Sequence, residues 1–348
     1  KGLLVEEQRT NSVKYSDQFN NALGWSFFNA TVNANVAVSP DGSANGDAIV
    51  ENTTNGNHGV QQFISYTSGT AYTLSFYVKA GTRAWCGMTL PSAAFTGGPS
   101  SYYNLSGAGT LGTAAGSPTA RSITAVGNGW YRITITATAT ATAGGNTLIR
   151  SASADNTGFY VGVNGAEAIY LYGAQLETGA FSTSYIPTVA STVTRTADIA
   201  TMTGANFSSW FNASAGTFVS QFTTSTISGT RTILDANDNT ANESIRLRTV
   251  SADPFFTVTD GGVDQANIDA GTVAANTTYK MAGAYTLNDF ATSIGGGAAV
   301  VDTSGTIPTV NQLQIGNSAA SNSLNGYLRT ISYYNTRLSD SSLQAITT

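Results

Sequence analysis

One cysteine, Cys86, and one histidine, His58, are all that the 348 residues contain of either type. A single cysteine excludes an intramolecular disulfide framework, and without a CxxC pair or a Cys/His cluster there is no pattern for a zinc site. Charge is also scarce. Lys, Arg, Asp and Glu make up 10% of the chain, against about 25% in ordinary globular domains. The net charge is −5 and no run of Lys or Arg occurs, so the electrostatic footprint of a nucleic-acid binder is missing. No apolar stretch approaches the roughly 18 residues of a spanning helix, so membrane insertion is not expected. Lys1 to Asn11 is polar and charged, unlike a signal peptide. The chain opens directly on strand-like Gly2-Leu3-Leu4-Val5, which raises the expectation that it belongs to a longer polypeptide.

What is present is aromatic and β-branched. With 16 Tyr, 15 Phe and 4 Trp spread along the sequence, low charge does not imply disorder, and there is enough apolar material for two cores. Helical periodicity is nearly absent, whereas short alternating runs recur between Gly, Asn, Ser and Thr. Tyr72 to Val78, Trp130 to Thr136 and Ala168 to Tyr172 each read as a half-buried strand. Asp41-Gly42, Asn55-Gly56, Asn128-Gly129, Asn164-Gly165, Gly261-Gly262 and Asn325-Gly326 read as tight turns. The Thr/Ala alternation from Thr134 to Thr142 reads as a strand running into a Gly144-Gly145 turn. Only the end, Ser339 to Ile346, looks helical, with Ser339 or Asp340 as cap and Leu343 and Ile346 on one face.

The fold class expected is therefore all-β, two tandem antiparallel β-sandwich domains of jelly-roll type with a short C-terminal helical turn. Pro187, in Phe181 to Thr188, suits an edge or a linker. A second series of strands starts at Arg195, and the boundary is placed near 190, giving domains 1–190 and 191–348.

Several motifs carry a resemblance. Gly2-Leu3-Leu4-Val5-Glu6-Glu7-Gln8-Arg9-Thr10-Asn11, Ser39-Pro40-Asp41-Gly42, Tyr72 to Ala80, Gly129-Trp130-Tyr131-Arg132, Gly173 to Glu177 and Ser184 to Thr188 resemble a module of phage structural proteins. That module is similar to the jelly-roll carbohydrate-binding modules found beside glycoside hydrolases. The second half, with Gly216-Thr217-Phe218, Asn325-Gly326-Tyr327-Leu328 and Arg337-Leu338-Ser339-Asp340, resembles a laminin-G-like, concanavalin-A-type sandwich. The resemblance implies a bacteriophage virion protein on the particle surface, in a tail fibre, spike or capsid decoration. Its implied partners are a cell-surface polysaccharide and other virion proteins. Fibre proteins of this kind are often trimeric homo-oligomers, although no heptad region is present to specify one.

Chemistry is sparse. A hydrolytic site needs two carboxylates held about 5 to 10 Å apart, and the acidic residues fall largely in turns, so no catalytic residue is expected and the chain is read as not an enzyme. An extracellular polysaccharide-degrading enzyme and a purely structural spacer are the competing readings. Sugar binding needs exposed rings beside amides and guanidinium groups. Consecutive Tyr102 and Tyr103 cannot both face a core from one strand, which makes them the first glycan candidates, and contact with another subunit or a neighbouring domain is an equal reading. Trp85 with Arg83 is a second candidate. His58 sits in a turn-like run where a surface turn is the plainer reading and a glycan contact the other. For Trp25, Trp130, Tyr131 and Trp210 core packing is favoured, and Cys86 reads as a small buried hydrophobe. The loop Asp235-Ala236-Asn237-Asp238-Asn239 places oxygen-bearing side chains at alternate positions, so Asp235, Asn237 and Asp238 could ligate Ca²⁺ or form a hairpin turn with Asx hydrogen bonds. No other cofactor is required by any pattern.

Overall fold

Alternation along Ala71–Ala80 puts Leu74, Phe76 and Val78 on one face, each fully buried. The neighbouring strand Trp130–Thr138 sets Ile133 opposite Phe76 and Ile135 opposite Leu74, and Glu167–Thr178 sets Leu171 opposite Val78. β-branched and aromatic side chains stacked in this way are what stabilise an antiparallel sheet. In the computed structural model, which describes residues 2–318 and 322–348, the chain forms two units, both built of antiparallel β-sheets.

The unit of residues 9–195 has two six-stranded sheets. One runs in the order Ala120–Gly127, Trp130–Thr138, Ala71–Ala80, Glu167–Thr178, Gly46–Glu51, Ala30–Ala37. The other runs Thr110–Ala115, Ser100–Asn104, Trp85–Thr89, Ala143–Ala152, Gly59–Tyr66, Ser26–Phe28. Their inner faces share one core, to which the second sheet gives Val60, Cys86, Met88, Tyr103 and Ile149. Trp25, Trp130 and Tyr131 are buried as expected. Burial pushes the Cys86 thiol pKa upward, in keeping with an inert packing role.

The outer face of the first sheet is not left to solvent. Residues 179–188 cross it without forming a strand, and the side chains beneath them are polar and buried because they bind that segment's backbone. Gln175 donates through Nε2 to the carbonyls of Thr183 and Ser184 at 3.3 Å each and accepts from Ile186 N at 2.6 Å. Glu177 accepts from Thr183 N at 3.0 Å, and Arg132 donates to the Thr183 carbonyl at 2.6 Å. Asn11 donates to the carbonyls of Ala174 and Ile186 and accepts from the amides of Val13 and Leu176, so its buried amide is fully used. The Gln175-Leu176-Glu177 motif thus fastens a strap, and Pro187 lies exposed on it with no ladder bond to lose.

The unit formed by residues 2–8 and 196–348 also has two six-stranded sheets. The first is ordered Leu3–Val5, Gly326–Tyr334, Ala215–Thr224, Thr278–Thr286, Asp289–Ile294, Val300–Asp302, and the second Thr201–Thr203, Gln312–Ile315, Thr230–Asn237, Ser244–Val250, Asp253–Asp260, Val263–Asp269. Phe218, Phe222, Phe256, Phe290, Ile245 and Leu247 fill the core between them. The terminal helix, Asp340–Thr347, is capped by Ser339, which accepts from Ser342 N at 3.3 Å. It buries Leu343 against Val219, Ala282, Ala284 and Ala291. Arg337 fixes its approach by bonding Asp289 at 2.8 Å and Asp340 at 2.7 Å. A four-residue helical turn, Ala205–Ser208, was not expected from the sequence.

Three details depart from the expectations. Leu3–Val5 pairs with Gly326–Tyr334, Leu3 opposite Leu328 and Val5 opposite Gly326, so the opening strand joins the unit that holds the chain's end and not residues 9–195. Val5 is fully buried in that unit's core, which accounts for the assignment. Gly144-Gly145 is no turn: both lie inside Ala143–Ala152, opposite Ser65 and Ile64. Asn55–Gly56 forms a short strand with Tyr160–Val161, whereas Asn128 and Gly129, at φ of 52° and 78°, do make the tight hairpin turn.

Candidate functional site

The residues expected to contact a glycan prove to be engaged within the protein. Tyr103 is fully buried in the core and donates its hydroxyl to the Thr134 carbonyl of the facing sheet at 2.7 Å. Tyr102 points to the other face of the same strand, yet only 6% of it is exposed. Adjacent residues do face opposite ways, as expected, but here both faces of the strand are covered. His58 does not sit on a surface turn: it is fully buried, with Nδ1 2.7 Å from the Asn29 carbonyl and Nε2 3.2 Å from that of Tyr160. Trp85 alone keeps a half-exposed ring, resting over Gly112.

Arg83 belongs to a buried network. Its Nε and Nη2 donate to Glu51 Oε1 and Oε2 at 2.9 and 2.8 Å, and its guanidinium carbon lies 4.7 Å from the centre of the Tyr160 ring. The Tyr160 hydroxyl bonds both Glu51 and Ser151, and Val163 N donates to Glu51 at 2.9 Å. Burial works against the Glu51 charge, but the bonds from Arg83, Tyr160 and Val163 outweigh it and hold its pKa below the ordinary carboxylate range. His58, at its carbonyl, and Arg83, over its ring, therefore both anchor Tyr160.

Of the side chains considered for Ca²⁺, Asp235 and Asn237 have their oxygens bound by protein donors, and Asp238 has one. Asp235, buried, accepts from the hydroxyls of Ser244 at 2.7 Å and Ser318 at 2.6 Å. Asn237 accepts from Gln312 at 2.7 Å and from Asn239 N at 2.9 Å. Asp238 closes a turn onto Thr240 N at 2.8 Å. Among the described residues no three His, Cys, Asp or Glu side chains gather as a metal centre.

A groove of about 320 Å³ opens instead on the outer face of the second sheet of residues 9–195, lined by Phe28, Asn29, Asn55, Asn57, Gln61, Leu148, Arg150 and Phe159, with the backbone of Gly56. Strand register assembles it. Phe28 lies opposite Gly59, Gly59 opposite Arg150, Arg150 opposite Gly87, and Gly87 opposite Tyr102. In one row across five strands, two bare glycines separate three large side chains. A Cβ on Gly59 would come within 2.9 Å of the Phe28 ring and 2.8 Å of Arg150 Cα. One on Gly87 would come within 3.1 Å of the Tyr102 ring and 3.4 Å of Arg150 Nε. Those gaps let Arg150 cover Tyr102, its guanidinium carbon 5.2 Å from the ring centre and its Nη2 2.8 Å from the hydroxyl. Tyr102 is thus the platform beneath a groove residue.

The loop after Ala152 supplies the far wall. Phe159 projects there at 64% exposure, and Gly158 packs against Arg150 and the Tyr102 hydroxyl. Asn29, in the left-handed region at φ 48°, donates its amide to the Asn57 carbonyl at 2.9 Å. The groove offers two aromatic faces, side-chain amides that both donate and accept, and one guanidinium. At the small end of the roughly 300–1,000 Å³ typical of ligand clefts, it suits one or two sugar rings. Phe28, Arg150 and Phe159 were not singled out in the sequence. The only local signal was the Asn55-Gly56-Asn57 run, which reads as a turn.

No protein-family model matches the chain, and no curated protein does. Among solved structures the chain is similar to the carbohydrate-binding module CBM40 of the Ruminococcus gnavus IT-sialidase bound to α2,3-sialyllactose. The identity is 15%, over 39% of this chain and 84% of that one, with a TM-score of 0.34. It is also similar to the NanB sialidase of Streptococcus pneumoniae, 11% identical over 39% of this chain and 24% of that one, at a TM-score of 0.34. The binding domain of botulinum neurotoxin DC, in complex with SialylT, is 12% identical over 38% of this chain and 35% of that one, at a TM-score of 0.31.

Proposed function

We propose that this chain is a non-catalytic glycan-binding protein of a bacteriophage virion surface, a fibre or decoration protein whose ligand is a cell-surface polysaccharide. The observation that carries the binding role is the Phe28–Arg150–Phe159 groove, where exposed ring faces stand beside amides and a guanidinium. Pyranose rings present flat C–H faces to aromatics and a rim of hydroxyls to such polar groups, so this mixture suits a sugar better than an apolar ligand. The virion assignment is supported by the two sandwich motifs of the sequence. The non-catalytic part is supported by Glu51, whose carboxylate is held charged and out of solvent by Arg83 and so serves poorly as a proton donor to a substrate.

Isothermal titration of the full chain with purified bacterial surface polysaccharides, beside its Phe159→Ala variant, tests the reading. Binding in the millimolar range or tighter, weakened by the variant, is expected, with no release of reducing ends. Failure of every polysaccharide to bind counts against it, and reducing-end release would point to the enzyme reading.

A further inference from the structure

We infer that the groove selects sugars that carry a carboxylate, and that Arg150 is the residue that binds it. The inference rests on the glycan reading and adds the ligand's charge to it. Arg150 is half-buried and takes part in no ion pair among the described residues. The contrast with other arginines of the same unit is chemical. Arg83 is neutralised by Glu51, and Arg121 and Arg132 donate to backbone carbonyls of Gly112 and Thr183. Arg150 donates only to a neutral phenol, through Nη2.

The guanidinium is nevertheless held in place. It lies over the Tyr102 ring, in the space left by Gly87 and beneath Gly158, so little side-chain freedom remains to be lost when a ligand arrives. None of the lining residues is acidic, so the groove carries one positive charge with no counter-charge of its own. A planar carboxylate matches the guanidinium fork with two charge-assisted bonds, whereas a hydroxyl offers a single weaker one. Phe28 and Phe159 would take the ring faces while Asn29, Asn55, Asn57 and Gln61 meet hydroxyls.

The test is calorimetry on the full chain with two matched pairs of probes: galacturonic acid oligomers against the same oligomers with carboxyls reduced to alcohols, and sialyllactose against lactose. In at least one pair the acidic member is expected to bind roughly tenfold or more tighter, the advantage shrinking as salt is raised. Arg150→Gln is expected to bring the acidic probe down to the neutral one. Arg150→Lys, which keeps the charge but loses the fork, retains part of the preference. Phe159→Ala weakens acidic and neutral probes alike. Equal binding of acidic and neutral members in both pairs overturns the inference and leaves the glycan reading standing. Binding of neither sinks both. Should Arg150→Gln fail to fold, as judged by its thermal unfolding, the wild-type comparison and Arg150→Lys decide alone.

Discussion

Arg150 covers the Tyr102 ring and bonds its hydroxyl at 2.8 Å, so the most polar group of the groove stands on a tyrosine that is itself out of reach. Tyr102→Phe keeps the ring and removes the bond. The expected loss is about 1.5–3 kcal/mol of stability, as for a hydrogen bond to a charged group, read from urea denaturation. Affinity for an acidic sugar should fall less than in Arg150→Gln, because the cation stays over a ring face.

Gly59 lies where two large side chains converge. Gly59→Ala drives a methyl into the Ile149 carbonyl oxygen and to within 2.8 Å of Arg150 Cα and 2.9 Å of the Phe28 ring, and the backbone of the neighbouring strand cannot retreat. Overpacking of this kind costs roughly 1–3 kcal/mol or more. Both the denaturation midpoint and the groove's binding should suffer, whereas Phe159→Ala, at an exposed position, should leave the midpoint nearly unchanged.

Acid should act on residues 9–195 through carboxylates whose pKa values are shifted in opposite directions. Glu51 is held below its ordinary pKa, so its contribution is complete above the unfolded value of about 4.3 and drains away as pH falls toward the folded one. Asp41 behaves alike: burial raises its pKa, but bonds from Ser43 N, Ser39, Tyr172 and Asn45 prevail and lower it. Burial instead raises the pKa of Asp17 and Asp47. Their contribution is largest below about 3.9 and declines as pH rises through the folded values. Denaturation midpoints between pH 3 and 7 should therefore show a shallow acid limb in the wild type. Glu51→Gln should lower stability at pH 7 and flatten that limb further, and a limb that steepens would contradict the assignment.

The C-terminal helix is capped by Ser339 and buries Leu343 and Thr347. Ser339→Ala is expected to cost about 1 kcal/mol and Leu343→Ala about 2–5 kcal/mol, both read from thermal unfolding. Neither should alter binding in the groove, which is built from residues 28–159.

The sandwich architecture was legible because its determinants are local: alternation in Ala71–Ala80 and Trp130–Thr138, Asn-Gly at a hairpin, Ser339 three residues before the amide it caps. The groove was not, because its determinants are cross-strand. Phe28 and Arg150 are far apart in the chain and become neighbours only through the register of Gly59, a residue with no side chain to announce the site. Tyr102 and Tyr103 misled for a related reason. Alternation correctly sent them to opposite faces, but nothing local reveals that Arg150 and the loop at Gly158 cover the outer one. The opening strand was placed with its sequence neighbours, although Glu7 donates its amide to Asn325 across 318 positions, a pairing that no short-range pattern encodes.

That pairing gives the chain a timetable. Leu3–Val5 leaves the ribosome well before its partner Gly326–Tyr334. At roughly 5–20 residues per second the strand waits on the order of tens of seconds. Residues 9–195 contain everything their own two sheets need and can close during that interval. The unit that pairs these two strands cannot, because its sheet is completed only once Gly326–Tyr334 has been translated.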